Sequence, residues 1–182
     1  MSEPLRVLFV CTANICRSPL MELLAERLAD GALAVSSAGT HGFEGRPVDA
    51  EMTAPLLARG VATERIEGFR SRPLTLDLVA DADLVLTAEA FHGRVIVEEL
   101  PEAAPKVFTL GQFAAVVGDA AGLAGAELVR EVGARQHPTD PALDVMDPYR
   151  RGSEAAALCA QQVEALLRVA VPALAGSGRI TP

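Results

Sequence analysis

The strongest constraint on the fold is the stretch of residues 6–24, RVLFVCTANICRSPLMELL, in which an apolar run leads through a short turn into an amphipathic segment. Residues 6–10 are rich in β-branched and aromatic side chains, which is typical of a strand buried on both faces of a parallel sheet. Ser18 and Pro19 predict a helix start, because a serine hydroxyl can cap free amides and proline needs no amide donor at the first helical position. The stretch therefore predicts a strand, a tight turn and a helix in succession.

The turn, residues 11–17, contains the residue types that an anion site with a nucleophile requires. Its successive amides aim at one point, and the helix dipole adds positive potential there, which favours a thiolate at Cys11. The planar guanidinium of Arg17 matches two phosphoryl oxygens. Ser18 can donate its hydroxyl to the sulfur, and Asn14 can brace the turn from within. The Cys-x5-Arg spacing alone favours a buried structural cysteine and a surface arginine, and only the flanking strand and helix change the prediction to the anion site.

The segment VLFVCTANICRSPLMELL resembles the amino terminus of the low-molecular-weight protein tyrosine phosphatases, whose phosphate loop reads Cys-x-Gly-Asn-x-Cys-Arg-Ser. The resemblance implies that Cys11 is the nucleophile and that Arg17 binds phosphate and stabilises the transition state. It also implies a phosphate loop that contains Thr12, Ala13, Asn14, Ile15, Cys16 and Ser18. Ala13 stands where the family usually has glycine. If that position required a positive φ, the alanine would reduce stability or bend the loop.

The rest of the chain predicts one domain built around this unit, since 182 residues can bury a substantial core. Three further apolar segments are predicted strands: 32–37, 82–87 and 106–110. Their alternation with helical segments is typical of a doubly wound parallel sheet. The predicted fold is α/β, a single-domain three-layer sandwich with a four-stranded parallel sheet in the order 2-1-3-4 flanked by helices. Within this domain, residues 1–182, we expect a helical insertion around 114–138 and a short C-terminal tail from residue 176.

Composition argues against several classes of function. A net charge of −8 argues against general nucleic-acid binding, and no apolar run approaches the roughly 18 residues of a membrane span, so we expect no membrane insertion. The first residues lack the basic and apolar regions of a signal peptide, and an odd number of cysteines, three, fits a reduced compartment. We therefore expect a cytoplasmic protein. No Cys/His spacing suggests zinc, and we expect neither metal nor cofactor.

The second informative stretch is residues 139–152, TDPALDVMDPYRRG. A phosphatase of this kind needs an acid that protonates the leaving phenolate and later activates water, and a carboxylate on a mobile loop at the rim can do both. Asp147 is the predicted acid, because it stands in Asp-Pro-Tyr before the final helix, which is the form of the family's acid motif. Capping or turn formation is expected of Asp140 and Asp144. The resemblance places Tyr149, the chain's only tyrosine, on the pocket wall, where it could stack on the substrate ring.

Other segments contribute candidate supporting residues. Phe43 lies in a glycine-rich loop that resembles the family's second signature, in which an aromatic residue near this point lines the pocket; core packing is the alternative. Ser71 and Arg72 match a Ser-Arg pair that in the family braces the phosphate loop from behind. Arg150 and Arg151 are either a solvated charge run or a means of recognising acidic groups beside a phosphosite.

The resemblance covers nearly the whole chain and implies a metal-independent protein-tyrosine-phosphatase that also hydrolyses aryl phosphates. In the implied mechanism Cys11 attacks phosphorus and forms a cysteinyl-phosphate, while Arg17 and the loop amides hold the equatorial oxygens. Asp147 protonates the departing phenol and then assists water. The implied partner is a phosphotyrosine-containing protein, such as a bacterial tyrosine kinase, and inorganic phosphate is the product and a weak inhibitor.

Three alternatives remain open at this point. Protein-arginine phosphatases belong to the same family, but they tend to carry threonine where this loop has Ile15. Arsenate reductases of the same fold need a relay of further cysteines, for which only Cys159 is available. A catalytically silent phosphate-binding module is the alternative from a different class, and the joint presence of nucleophile, arginine and acid argues against it.

Overall fold

The computed structural model describes residues 3–120, 122–135 and 138–176. Its strands are β1 Leu5–Cys11, β2 Leu33–Gly39, β3 Leu84–Thr87 and β4 Val107–Thr109. All three pairings are parallel and the strand order is β2-β1-β3-β4, which confirms the predicted fold class and sheet order. Each predicted strand agrees with the observed one to within two residues at either end.

Helices cover both faces of the sheet. In the described part of the chain they are α1 Arg17–Ala29, α2 Ala50–Ala58, α3 Thr63–Gly68, α4 Leu76–Asp81, α5 Ala90–Glu99, α6 Leu110–Val116, α7 Gly125–Ala134 and α8 Gly152–Ala175. Successive side chains of β1 point to opposite faces. Val7 and Phe9 therefore pack in the core with α1 and α8, whereas Leu8 and Val10 pack with α4 and α5. This arrangement explains why the strand is apolar throughout.

The segment predicted to be an insertion is helical where the structure describes it. It contains the end of α6, a 3-10 turn at Val117–Ala120 and α7. Leu128 and Val132 of α7 are buried in the same core as α1 and α8, so this segment is part of the domain core. Its status as an insertion relative to other proteins stays a prediction. The predicted C-terminal tail begins at Gly176, the left-handed C-cap of α8, and its remaining residues, 177–182, lie outside the described part.

The last helix, α8, is long and apolar enough to cross a membrane by length and composition. Among the described residues, α6 and α7 together are a second candidate, but they are bent by 101°. Ala156, Cys159, Val163 and Leu167 of α8 are completely buried, and the helix packs against α1, α2 and α6. These contacts are those of a core helix, which commonly meets the same criterion.

Gly39, the last residue of β2, brings the loop after β1 into close contact with the neighbouring strand. A Cβ atom added at Gly39 would lie 2.6 Å from the carbonyl oxygen of Thr12 and 2.9 Å from the carbonyl carbon of Ala13. Two backbone hydrogen bonds fix the approach, from Thr40 to Cys11 at 2.9 Å and from His41 to Thr12 at 2.8 Å. The position of the loop after Cys11 therefore depends on the absence of a side chain at residue 39.

We predict that Gly39→Ala destabilises the protein by about 1–3 kcal/mol, because backbone atoms must shift to admit the methyl group. In thermal unfolding this corresponds to a melting temperature roughly 3–10 °C lower. Gly68→Ala is the matched control, because nothing lies within 4 Å of its added Cβ, and we expect it to be neutral or slightly stabilising. Equal melting temperatures for the two variants would contradict the close contact at Gly39.

Candidate active site

The loop between β1 and α1 curves around the sulfur of Cys11, which lies 3.0 Å from the hydroxyl oxygen of Ser18. The helix begins at Arg17, and its N-cap residue, Cys16, makes no side-chain capping bond. The prediction that Ser18 caps the helix is therefore wrong, since Ser18 lies inside the first turn and its hydroxyl points into the loop. The amides of this first turn have no side-chain cap, and with the helix dipole they make an anion site beside the sulfur.

Asn14 determines the shape of the loop. It is completely buried and has a left-handed φ of 55°, a conformation that asparagine tolerates better than most residues. Its amide nitrogen donates to the hydroxyls of Ser18 and Ser37, both at 2.8 Å. Its carbonyl oxygen accepts the backbone N–H of Arg72 at 2.9 Å. Ala13 is not among the residues with a positive φ, so the strain considered for an alanine at this position does not arise.

The Ser18 hydroxyl is a hydrogen-bond partner of the Cys11 sulfur. Because Asn14 donates to the Ser18 oxygen, the serine proton is free to point to the sulfur at 3.0 Å. The other acceptor within reach, the carbonyl oxygen of Ala38, is 3.4 Å away. Burial raises the pKa of the other two thiols, to about 12 at Cys159 and well above its usual range at Cys16. Those two thiols are therefore protonated at neutral pH.

Arg17 is buried, and its guanidinium is held in place by groups from two other segments. One terminal nitrogen lies 3.0 Å from a carboxylate oxygen of Glu89 and donates to the carbonyl of Val145 at 3.3 Å. The other lies 3.5 Å from a carboxylate oxygen of Asp147. A buried guanidinium needs such partners, since an unpaired buried charge is strongly destabilising. Glu89, the residue before α5, is a site residue that the sequence analysis missed.

His92, on the first turn of α5, connects this helix to the phosphate loop. Its ring is completely buried, and Nδ1 accepts the backbone N–H of Glu89 at 3.1 Å. In the neutral ring Nε2 therefore carries the proton and donates to the Thr12 hydroxyl at 2.9 Å. Burial, assisted by the charge of Arg17, lowers the pKa of His92 to about 4. The ring is accordingly neutral at pH 7. The sequence analysis did not identify His92 as a site residue.

The cleft above the sulfur has a volume of about 240 Å³. Its lining residues come from three loops: Cys11, Thr12, Ala13, Ile15, Cys16, Arg17, Phe43, Asp147 and Tyr149. Phe43 and Tyr149 are 48% and 42% exposed and form two walls. The structure thus brings the predicted nucleophile, phosphate-binding arginine, acid and both aromatic side chains to one cleft. Asn14 and Ser18 lie beneath the loop and do not line the cleft.

Ser71 and Arg72 support different segments. The Arg72 guanidinium donates to the carbonyl of Ser37 at 2.9 Å, and its backbone N–H reaches Asn14. Arg72 therefore braces the phosphate loop as expected from the family pattern. Ser71 accepts the backbone N–H of Arg46 at 3.0 Å and donates to the carbonyl of Phe43. Its hydrogen bonds thus hold the segment that carries the aromatic wall.

The backbone that leads to Asp147 is tied down. The N–H of Val145 donates to the carbonyl of Ala88 at 2.8 Å. The side chain of Gln162, on α8, accepts from Met146 at 3.2 Å and donates to the carbonyl of Asp144 at 2.9 Å. The loop is therefore anchored up to the residue before Asp147, and the Asp147 side chain itself is 45% exposed. Gln162 is a third supporting residue that the sequence analysis did not find.

Of the two competing aspartates, Asp140 has the local capping role expected of it, whereas Asp144 makes a long-range contact. Asp140 accepts the backbone N–H of Ala142 at 2.9 Å and caps a 3-10 turn. Asp144 accepts the N–H of Ala90 at 2.9 Å, which attaches the loop to α5. Within residues 3–120, 122–135 and 138–176, no group of three or more His, Cys, Asp or Glu side chains is arranged to hold a metal ion.

This arrangement can transfer a tetrahedral oxyanion group to sulfur. The sulfur of Cys11 lies at the base of the cleft, and backbone amides and Arg17 surround the position that the anion would occupy. Asp147 lies at the mouth, where it can exchange a proton with a leaving group and with solvent.

Comparisons with known proteins agree with this chemistry. Residues 6–124 match the family described as low molecular weight phosphotyrosine protein phosphatase. The chain is 36% identical over 107 residues to the low molecular weight protein-tyrosine-phosphatase Etp of Escherichia coli strain K12, covering 59% of this chain and 70% of that protein. It is 37% identical over 110 residues to a protein-arginine-phosphatase of Geobacillus stearothermophilus, covering 60% and 72%. The solved YwlE arginine phosphatase of that organism matches 96% of this chain and 95% of its own, with a TM-score of 0.75 and 28% identity.

We predict that His92→Gln removes part of the pH dependence of stability. An unfolded histidine titrates near 6.5 and folded His92 at about 4, so the unfolded state binds more protons between these values. The wild-type protein must therefore lose stability as the pH falls through this window, by about 2–3 kcal/mol from this group. Urea unfolding at pH 7 and pH 4.5 should give a smaller loss for the variant. The exposed His41→Gln is the control, and identical pH profiles for wild type and His92→Gln would contradict a buried neutral ring.

Proposed function

Because the chain belongs to the low molecular weight phosphotyrosine protein phosphatase family, we propose that it hydrolyses phosphotyrosine in a protein substrate through a covalent intermediate on Cys11. One observation carries the proposal. Cys11, Arg17 and Asp147 line a single cleft whose walls include Phe43 and Tyr149. The cleft therefore combines a nucleophile, an anion-binding guanidinium and a proton donor with an aromatic surface for a phenyl ring.

The reaction runs in two steps. The thiolate of Cys11 attacks phosphorus in line, the bond between phosphorus and the tyrosine oxygen breaks, and Asp147 protonates the departing phenolate. Water then attacks the cysteinyl-phosphate while Asp147 accepts a proton, which releases phosphate and restores the thiolate. Arg17 and the loop amides hold the equatorial oxygens throughout, and Glu89 keeps the Arg17 guanidinium oriented for bidentate binding. Ser18 stabilises the thiolate as the attacking and the departing group.

The walls of the cleft favour tyrosine over arginine as the phosphorylated residue. Ile15, Phe43 and Tyr149 present apolar surface to the substrate side chain. A phosphoarginine guanidinium would need an acceptor, whereas Glu89 and Asp147 are both within 3.5 Å of Arg17. The arginine phosphatases among the relatives make phosphoarginine the second candidate.

The other two alternatives receive less support. Cys159 is completely buried and its thiol pKa is raised to about 12, so it does not suit the thiol relay of an arsenate reductase. A silent binding module would not need a protonatable group at the cleft mouth, where Asp147 lies. We further propose that the enzyme acts in the cytoplasm without a metal ion, on a phosphoprotein such as a bacterial tyrosine kinase, and that the phosphate product inhibits it weakly.

The proposal predicts a preference for phosphotyrosine. With peptides of identical flanking sequence, we expect kcat/KM for the phosphotyrosine peptide to exceed that for the phosphoarginine peptide by about 100-fold, from the fit of the side chain to the cleft. Ile15→Thr should reduce this ratio. Cys11→Ser is the blank, which should bind phosphate without turnover. A higher rate on the phosphoarginine peptide would favour the arginine phosphatase, and activity in the Cys11→Ser protein would contradict the assigned nucleophile.

A second prediction concerns the acid. Asp147→Asn should slow phenyl phosphate hydrolysis by about 10²–10⁴-fold, because the phenolate then leaves without a proton. The loss should be much smaller with p-nitrophenyl phosphate, whose leaving group needs less protonation. Asp140→Asn is a matched control, because Asp140 also precedes a proline but does not line the cleft, and it should keep both rates. Equal losses on the two substrates would identify another residue as the acid.

A further inference from the structure

We propose that the cleft selects phosphotyrosine sites flanked by acidic residues, through two arginines that stack on its aromatic walls. We call these two side chains, Arg46 and Arg150, the arginine rim. The inference rests on the proposed function, because it names the class of protein substrate that the same cleft would take.

Both arginines lie directly beside the wall residues. The guanidinium carbon of Arg46 is 4.7 Å from the ring centroid of Phe43, and that of Arg150 is 5.1 Å from the ring centroid of Tyr149. Stacking on an aromatic face attracts the cation and leaves the N–H groups at the edge of the guanidinium directed away from the ring. Those N–H groups can bind a carboxylate in a bidentate manner. Each wall residue therefore has an exposed carboxylate-binding group stacked on its ring.

The charges of the rim are not neutralised within the described residues. Six arginines of that part form ion pairs with carboxylates: Arg6, Arg17, Arg59, Arg65, Arg135 and Arg168. Arg46 and Arg150 form none there, and both are exposed. Their charges are therefore available to a ligand, in a chain that is otherwise acidic, with a net charge of −8.

The surrounding charges leave the rim positive. The carboxylates nearest in sequence to Arg46 are Glu44 and Asp49, and those nearest to Arg150 are Asp147 and Glu154. Of these, Asp147 is already 3.5 Å from Arg17. Arg151 follows Arg150 and adds another exposed cation. Because a phosphotyrosine dianion would further neutralise Arg17, an acidic flank must be recognised by cations outside the loop, and the rim supplies them.

The backbone of the second wall orients its arginine. Arg150 has a left-handed φ of 59°, which is uncommon for a residue with a side chain. The turn is closed by hydrogen bonds from Arg151 to the carbonyl of Pro148 at 3.0 Å and from Tyr149 to the Asp147 carboxylate at 3.3 Å. The rim cation, the wall and the proposed acid thus belong to one turn. A substrate that binds Arg150 through an acidic residue also contacts the turn that carries Asp147.

The rim suits residues adjacent to the phosphotyrosine. Consecutive Cα atoms of a substrate are about 3.8 Å apart, so we expect residues that flank a phosphotyrosine bound against Phe43 and Tyr149 to be within reach of the arginines stacked on those two rings. Arg46 and Arg150 are carried by different loops, which predicts that acidic residues on both sides of the phosphotyrosine contribute. Exposed ion pairs are weak, and each arginine should change kcat/KM by about 2–5-fold.

The test compares two phosphotyrosine peptides that differ only in their flanks, one with glutamates and one with glutamines on both sides. The wild-type enzyme should have the higher kcat/KM for the glutamate peptide, and raising the ionic strength should reduce the difference. Arg46→Gln and Arg150→Gln should each lower the ratio of the two values by about 2–5-fold, and the double variant should abolish the preference. Arg46→Lys and Arg150→Lys should retain only part of it, since the charge remains but the planar group that stacks and binds a carboxylate in a bidentate manner is lost.

Arg94→Gln is the matched control. Arg94 also stacks on an exposed aromatic residue, Phe91, at 6.0 Å, but it faces a separate hollow away from Cys11. This variant should keep the wild-type ratio. Equal kcat/KM values of the wild-type enzyme for the two peptides, or a preference that survives in the double variant, would overturn the arginine rim and leave the proposed function intact.

Measurements of peptide binding test the arginine rim independently of catalysis. If wild-type enzyme hydrolysed neither peptide, the proposed function would fail, and the rim would be decided by the affinities of the two peptides for the Cys11→Ser protein. Tighter binding of the glutamate peptide, lost on adding Arg46→Gln and Arg150→Gln, would support the rim. Equal affinities would overturn it.

Discussion

The site depends on the hydrogen bonds of Asn14, whose side chain is completely buried beneath the loop between β1 and α1. This one amide joins α1 through Ser18, β2 through Ser37 and the turn at Arg72. Among the described residues, no buried side-chain nitrogen or oxygen lacks a hydrogen-bond partner, so breaking any of these bonds would leave a costly unsatisfied group. The loop consequently has one shape, and that shape places the Ser18 hydroxyl within hydrogen-bond distance of the Cys11 sulfur.

Positive potential is concentrated at the loop after Cys11, although the chain as a whole is acidic. Arg17, the uncapped first turn of α1 and the loop amides all act at one point, and Glu89 and Asp147 lie 3.0 and 3.5 Å from the guanidinium nitrogens. Two exposed arginines then extend this potential to the aromatic walls. The site can therefore attract a phosphate group at short range, although the whole protein carries a net charge of −8.

The proposed acid, Asp147, and the proposed nucleophile, Cys11, are held by separate parts of the fold. Cys11 depends on β1, α1 and β2, whereas the segment before Asp147 is fixed to α8 by Gln162 and to the carboxyl end of β3 by Ala88. The central position of α8 thus has a direct consequence for the site, because the same helix that closes the core also anchors the loop that carries the acid. The side chain of Asp147 is 45% exposed, and Tyr149 and Arg150 in the turn after it are exposed as well.

Local patterns in the sequence were sufficient to predict the strand, turn and helix around Cys11. The resemblance to a known family added predictions of the sheet order and of the position of Asp147. These features are local because hydrophobic periodicity and turn chemistry act over a few residues. Glu89, His92 and Gln162 had no such signal, since their partners Arg17, Thr12 and Met146 are between 16 and 80 residues away in the chain. The sequence analysis also predicted the contact between Ser18 and the Cys11 sulfur, but it assigned Ser18 a helix-capping role that the folded structure excludes, since the helix begins at Arg17 and Asn14 donates to the Ser18 hydroxyl. The sequence by itself determined which residues can carry the chemistry, and only the folded chain decided which hydrogen bonds hold them in place, because those bonds join segments that meet only when the sheet has formed.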